Sequence, residues 1–217
     1  MEITWYGHSC FRLSERGLAT TIIDPYDGQA LGDQSVRLKG DIVTVSHDKP
    51  GHNHILAVQG EPYIVNGPGE YEVGGVFITG IQTNENRDHA ELANVLYLYD
   101  YNDLNVAHLG ALNRVPSQAE VEDLGPVHIL LIPVGGENTL DAARAAEVVN
   151  LFDPNIVIPM HYYSPDSPLS QELLNKFLKQ MGAVDDLQTL PSLKVNSTAS
   201  LSEETRVVVL ERQSGER

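Results

Sequence analysis

Apolar and polar positions alternate in short bursts through the first half of the chain and shift to a longer period further on. Ile3–Tyr6, Cys10–Leu13 and Ala19–Ile23 carry β-branched and aromatic residues, with breaks at Gly7-His8 and Glu15-Arg16-Gly17, and so predict a β-meander. Ile42–Val45, Tyr63–Val65, Val73–Ile81, Val95–Tyr99, Leu104–His108 and Val127–Val134 are further strand candidates with loop chemistry between them. From Asn138 the period changes. Ala142, Ala145, Ala146, Val149 and Phe152 fall on one helical face, and Asn138 and Asp141 are suited to cap its start. Asn155–Met160 returns to strand. Ser167-Pro168 then opens a second helix expected to present Leu169, Leu173, Phe177 and Met181 before a stop at Gly182. Two β layers with helices outside accommodate this order.

At 217 residues and 41% apolar content, the chain suits one substantial core, so a single domain over residues 1–217 is expected. No stretch approaches the roughly 20 apolar residues of a membrane span. The sequence opens on a strand pattern rather than on a charged and apolar leader, which leads to the expectation of a cytoplasmic protein without membrane contact. The single cysteine, Cys10, cannot form an internal disulfide, and its alternation with Phe11 predicts a small apolar packing role. With 14 basic against 30 acidic side chains the net charge is −16, a field that repels phosphate backbones. Nucleic acid is therefore not an expected partner. A small-molecule substrate or ligand is.

The chemistry concentrates after the strand ending near Val45. Ser46-His47-Asp48-Lys49-Pro50-Gly51-His52-Asn53-His54 places three histidines in one loop, a common way to present imidazoles to a metal. Lys49 breaks the pattern, because a protonated ammonium has no lone pair to donate. His54 is expected to start the following helix and face solvent. Gly67-Pro68-Gly69 and Gly135-Gly136 lack the lysine and hydroxyl of a phosphate loop and read as turns near a cleft. No Gly-x-Ser-x-Gly element is present, which argues against a serine hydrolase.

The loop resembles the His-x-His-x-Asp-His signature of the metallo-β-lactamase superfamily, with His47 at the first histidine and His52 at the last. Lys49 stands at the second histidine and Gly51 at the aspartate. Trp5 to Phe11, Ile23-Asp24-Pro25, Gly67 to Val76 and the run from Ile132 to Tyr162 extend the likeness in the family's order, closest to its small bacterial hydrolase branch related to the ascorbate-phosphate lactonases. The resemblance implies an α+β fold, a four-layer αββα sandwich. It implies a metal-dependent hydrolase acting on a small ester, lactone or phosphoester. His161 matches the family's last metal histidine, Ala111 stands where it has an aspartate, and Glu85 or His89 falls where it has a further histidine. With these departures the binuclear site is expected to be reduced or lost.

On this reading His47, His52 and His161 are the metal ligands, and His108, Asp24 and Lys49 are the catalytic candidates. Zinc or another divalent metal is expected at reduced occupancy, or none. Asp24 is expected to pair with Lys49 or to orient His47. His8 is read either as a residue facing the site or as a turn histidine between paired strands. The alternative function is a noncatalytic, metal-free member of the fold that binds a small anion or a protein partner through the same cleft, with Lys49 as anchor.

Overall fold

The computed structural model describes residues 1–29, 31–83, 94–136, 138–162, 169–184 and 187–215. The first part of the chain runs β1 (Glu2–Gly7), β2 (Cys10–Ser14), β3 (Thr21–Ile23), β4 (Leu38–Lys39), β5 (Ile42–Thr44), a short 3-10 turn at Ile55–Ala57, β6 (Val58–Gln59) and β7 (Tyr63–Val65). The remainder runs β8 (Gly69–Val73), β9 (Val76–Gln82), β10 (Val95–Tyr101), β11 (Leu104–His108), α1 (Gln118–Leu124), β12 (Ile129–Pro133), α2 (Ala142–Phe152), β13 (Ile156–Met160), α3 (Leu169–Gln180), β14 (Gln188–Leu190), β15 (Leu193–Lys194) and β16 (Arg206–Leu210). Among the described residues these form a six-stranded sheet, β15-β1-β2-β3-β5-β7, and an eight-stranded sheet, β14-β16-β13-β12-β11-β10-β9-β8. The pair β4-β6 stands apart.

The two-residue period of the early strands sorts side chains between two cores. Phe11, Leu13, Ile23 and Ile42 face the core between the sheets, while Cys10, Ile22 and Val43 face outward into a smaller cluster closed by Tyr26, Val36, Leu38 and Val58. Cys10 is fully buried there, as its alternation predicts. On the other sheet β11, β12, β13 and β16 pair in parallel, and β12 and β13 are buried on both faces, which is why they read as unbroken apolar runs. α2 packs on β12, with α1 and α3 beside it. Tyr97, Tyr99 and Tyr101 share one face of β10 and reach across to the other sheet. Their hydroxyls bond Val45 C=O at 3.0 Å, Thr44 Oγ1 at 2.7 Å and Thr21 Oγ1 at 2.8 Å. Each of these cross-sheet bonds satisfies a phenol that burial would otherwise penalise. The sandwich expected from the sequence is thus formed, with α1–α3 on the outside of the eight-stranded sheet. No helix among the described residues is long and apolar enough to cross a membrane.

Three departures from the sequence pattern have physical causes. β9 begins at Val76 rather than Val73, because Gly74 and Gly75 at φ 56° and 81° close a two-residue hairpin with β8. On α3 the buried positions are Leu174, Phe177 and Leu178, and Leu169 is exposed. A strict i, i+4 row such as Leu169-Leu173-Phe177-Met181 drifts about 40° per step, so it cannot stay on one face over three turns. Ser167 and Pro168 lie outside the described residues.

The third departure is α1, which the hydrophobic period does not announce but a capping box does. Ser117 Oγ accepts the Glu120 N–H, and the Glu120 carboxylate accepts the Ser117 N–H at 2.8 Å. Arg114 also donates to Glu120 and to Thr83 C=O, tying the loop after β11 to the end of β9. The Arg114 guanidinium, assisted by Ser117, holds the Glu120 carboxyl down at about 2. A depressed carboxyl contributes stability that is present above its unfolded value of about 4.3 and is lost as pH falls through the folded value. Glu120→Ala is therefore expected to cost about 1 kcal/mol at pH 7. The gap to wild type should narrow in urea melts at pH 3, and a gap of equal size at both pH values would contradict this account.

Candidate metal centre and cleft

Four chain segments end at one place, each leaving a strand: the β1–β2 turn with His8, the exit of β3 at Asp24, the loop after β5 with His47 to His54, and the exit of β13 at His161. Non-glycine residues at positive φ are uncommon and cost roughly 1–2 kcal/mol each. Among the described residues His8, Asp24 and His161 adopt such conformations, at φ 50°, 45° and 61°; the others are Asn102, Asp103 and Asp153. Asn102-Asp103 turn a hairpin and Asp153 caps α2. The remaining strain thus falls on the residues of the site.

The His8 carbonyl accepts the Trp5 indole N–H at 3.0 Å and the His161 N–H at 3.1 Å, so the β1–β2 turn is clamped to the end of β13. The rings of His8 and His161 are 4.2 Å apart between centroids, and His52 lies about equally close to both, at 5.4 Å and 5.5 Å. One ring nitrogen from each of His8, His52 and His161 lies within 4.8 Å of the others. Behind them Asp24 is fully buried. Its carboxylate accepts the Ser46 N–H at 2.7 Å, the Ser46 hydroxyl at 2.5 Å and His52 Nδ1–H at 2.7 Å. That bond holds the His52 ring in one orientation.

Electrostatics keep the cluster ready to donate lone pairs. Burial, with His52 nearby, pushes His8 down to about 4, and burial with His8 and His52 pushes His161 well below the ordinary imidazole range. Both rings are therefore neutral at pH 7. Burial alone would raise the Asp24 carboxyl, but His52, His108 and Ser46 together outweigh it and leave Asp24 below its ordinary value. His8 Nδ1 is buried without a hydrogen-bond partner among the described residues, an orphaned polar atom of the kind a bound cation can satisfy. Three imidazoles are the usual protein complement of a catalytic zinc and leave a fourth position open. The residues fit a single divalent ion.

Of the three ligands expected from the sequence, His52 and His161 group with His8 among the described residues, and His47 is not in that group. His47 is half-buried on the rim, its ring edge-on to His52 at 5.7 Å. Asp24 orients His52, not His47, and does not pair with Lys49. His108, expected as a catalytic group, lies beneath the cleft and is fully buried. Its Nε2–H donates to Ser9 C=O at 3.0 Å and its Nδ1 accepts the Gly110 N–H at 3.1 Å, so both nitrogens serve the floor. Lys49 is exposed at the mouth. Glu85 and His89 lie outside the described residues. His54 precedes the 3-10 turn, close to the helix start read from the sequence.

Asn94 was not anticipated. Buried, it accepts the Ala111 N–H at 2.8 Å and donates to Leu109 C=O and Thr83 Oγ1, each at 3.1 Å, which joins the ends of β9 and β11 beside the site. Nothing in the local pattern marks it, since its partners come from two other strands. The resulting cleft has a volume of about 610 Å³, with His8, His52 and His161 at its base and His47, Lys49 and Asn138 among its walls.

Two glycines allow this close packing. A Cβ at Gly135 would fall 2.1 Å from the His161 carbonyl oxygen, and one at Gly51 would fall 2.7 Å from His8 Nε2. His8 therefore fills the space a side chain at position 51 would enter. Gly51→Asp is expected to displace His8 and weaken metal binding rather than add a ligand. Zinc titration of the variant checks this, and tighter binding than wild type would reverse the conclusion.

Residues 2–161 match the profile of the Beta-lactamase superfamily domain. A UPF0173 protein of Pyrococcus abyssi is 28% identical over 186 residues, covering 75% of this chain and 83% of the relative. A UPF0173 metal-dependent hydrolase of Methanocaldococcus jannaschii is 26% identical over 209 residues, covering 84% and 93%. In three dimensions, a Thermotoga maritima protein assigned to the Zn-dependent hydrolases of the metallo-β-lactamase superfamily aligns over 96% of this chain and 97% of its own, with a TM-score of 0.78 and 31% identity.

Proposed function

The chain belongs to the metallo-β-lactamase superfamily, and from that premise we propose that it is a metal-dependent hydrolase of a small ester, lactone or phosphoester, working with one divalent metal. The observation that carries this reading is the group of three imidazoles, from His8, His52 and His161, backed by a buried carboxylate. His8, His52 and His161 would hold the metal. A divalent ion held there would supply Lewis-acid chemistry, polarising a carbonyl or phosphoryl oxygen and activating water for hydrolysis. Asp24 and Ser46 hold His52 in one orientation. His47, beside His52 and lining the cleft, would take a proton from an entering group and return it to a leaving one. The reading takes residues 1–217 as one domain, acting on a small molecule in the cytoplasm and not on nucleic acid.

A second reading, a metal-free binding protein of the same fold, is favoured by Lys49, Gly51 and Ala111 at positions where the family has ligands. One experiment separates the two. Freshly purified protein should contain about one zinc, manganese or iron per chain and hydrolyse at least one class in a panel of esters, lactones and phosphoesters, with loss of activity on chelation and in His52→Ala. A chain that neither holds nor takes up metal would leave the second reading standing.

A further inference from the structure

We infer that the cleft recognises its substrate through an oxyanion, a phosphate or carboxylate, seated on Lys49 beside the imidazole group. This rests on the hydrolase reading for what is cleaved, not for what is bound. Of 217 residues 30 are acidic, about one in seven, yet none of the thirteen described residues lining the cleft is Asp or Glu. Lys49 is the one Lys or Arg among them.

The described acids of the neighbouring segments have other hydrogen-bond partners; Asp27 Oδ1, for instance, accepts the Gln29 N–H at 3.0 Å. Asp48 accepts from Asn53 Nδ2 at 2.7 Å, and Asp24 is buried under His52 and Ser46. Among the described residues the Lys49 ammonium has no ion-pair partner, although the protein as a whole carries −16. The ammonium is therefore a local positive charge in an otherwise acidic protein, able to attract an anion into the cleft.

Its base is also fixed. The Lys49 carbonyl accepts the His52 N–H at 2.8 Å and the Asn53 N–H at 3.1 Å, and the Asp27 N–H bonds Pro50 C=O at 2.8 Å. The backbone that carries the ammonium is thereby tied to the residue that carries the imidazole. Asn113 and Asn138, also lining the cleft, are exposed, and no other described residue engages their amides. They add neutral donors to the lining of the cleft that carries the Lys49 charge.

The test is calorimetric titration of inorganic phosphate, and separately of acetate, into zinc-loaded and metal-free wild type, Lys49→Gln and Lys49→Arg, with zinc content measured on each sample. Lys49→Gln is expected to weaken anion binding roughly tenfold or more while zinc content stays at the wild-type level, and Lys49→Arg to retain most of the affinity. Which anion competes identifies the group. Lysine-dependent phosphate binding by a wild type that takes up no zinc would uphold the anion subsite while removing the hydrolase reading. Unchanged anion affinity in Lys49→Gln, or loss of zinc together with the anion, would overturn the inference.

Discussion

Asp24→Ala is expected to destabilise the protein by about 3–5 kcal/mol, because it strips one partner from a fully buried polar group and leaves the others unpaired. The orphans would be His52 Nδ1–H, the Ser46 N–H and the Ser46 hydroxyl. Asp24→Asn separates folding from function. Asparagine tolerates the positive φ of 45° and keeps the shape, but its amide cannot accept at both oxygens as the carboxylate does. Zinc affinity should fall about 10–100-fold, the usual cost of losing the carboxylate behind a ligating histidine. Urea melts and competition with a chromophoric chelator measure the two effects. A variant with wild-type zinc affinity would mean that His52 needs no orientation from Asp24, and the arrangement of the site would have to be reconsidered.

His8→Asn is expected to cost about two orders of magnitude in zinc affinity while His47→Ala leaves it near wild type. The magnitude comes from dividing the roughly 10–16 kcal/mol of a four-ligand zinc site among its ligands, about 3 kcal/mol each. Asparagine is again the informative replacement, since it accepts the left-handed backbone that His8 holds at φ 50°. The visible spectrum of the cobalt-substituted protein gives a second readout, because a lost imidazole changes the coordination geometry without reference to any substrate. The reverse result, with His47→Ala losing the metal and His8→Asn keeping it, would restore the ligand set read from the loop sequence.

That contrast shows how far sequence reasoning reached. Leu104–His108 and Tyr63–Val65 were read as strands with the bounds they have, because their period and their flanking turn residues agree. The helix from Ala142 was found together with its Asp141 cap, which accepts the Arg144 N–H at 2.9 Å. The strand period over Arg206–Leu210 and the capping box at Ser117 and Glu120 lie outside the elements predicted from the sequence, yet they form β16 and the start of α1. Both signals are local and were available. His8 differs in kind. A histidine after glycine between two strands looks the same whether it turns a hairpin or faces a cleft, and only the clamp from Trp5 and His161 brings its ring against His161.

The sequence by itself determined the strands and helices, the apolar faces that join them, and a histidine loop at a strand end, because each depends on residues a few positions apart. It determined the family as well, through motifs kept in order along the chain. Only the tertiary structure decided which imidazoles meet. His8 and His161 lie 153 positions apart in sequence and on different sheets, and their rings meet because the β1–β2 turn and the end of β13 exit the sandwich at the same edge. The structure also placed His108 under the floor and Asp24 behind His52, since burial and left-handed backbone are imposed by packing across the two sheets and leave no periodic trace in the residues that bear them.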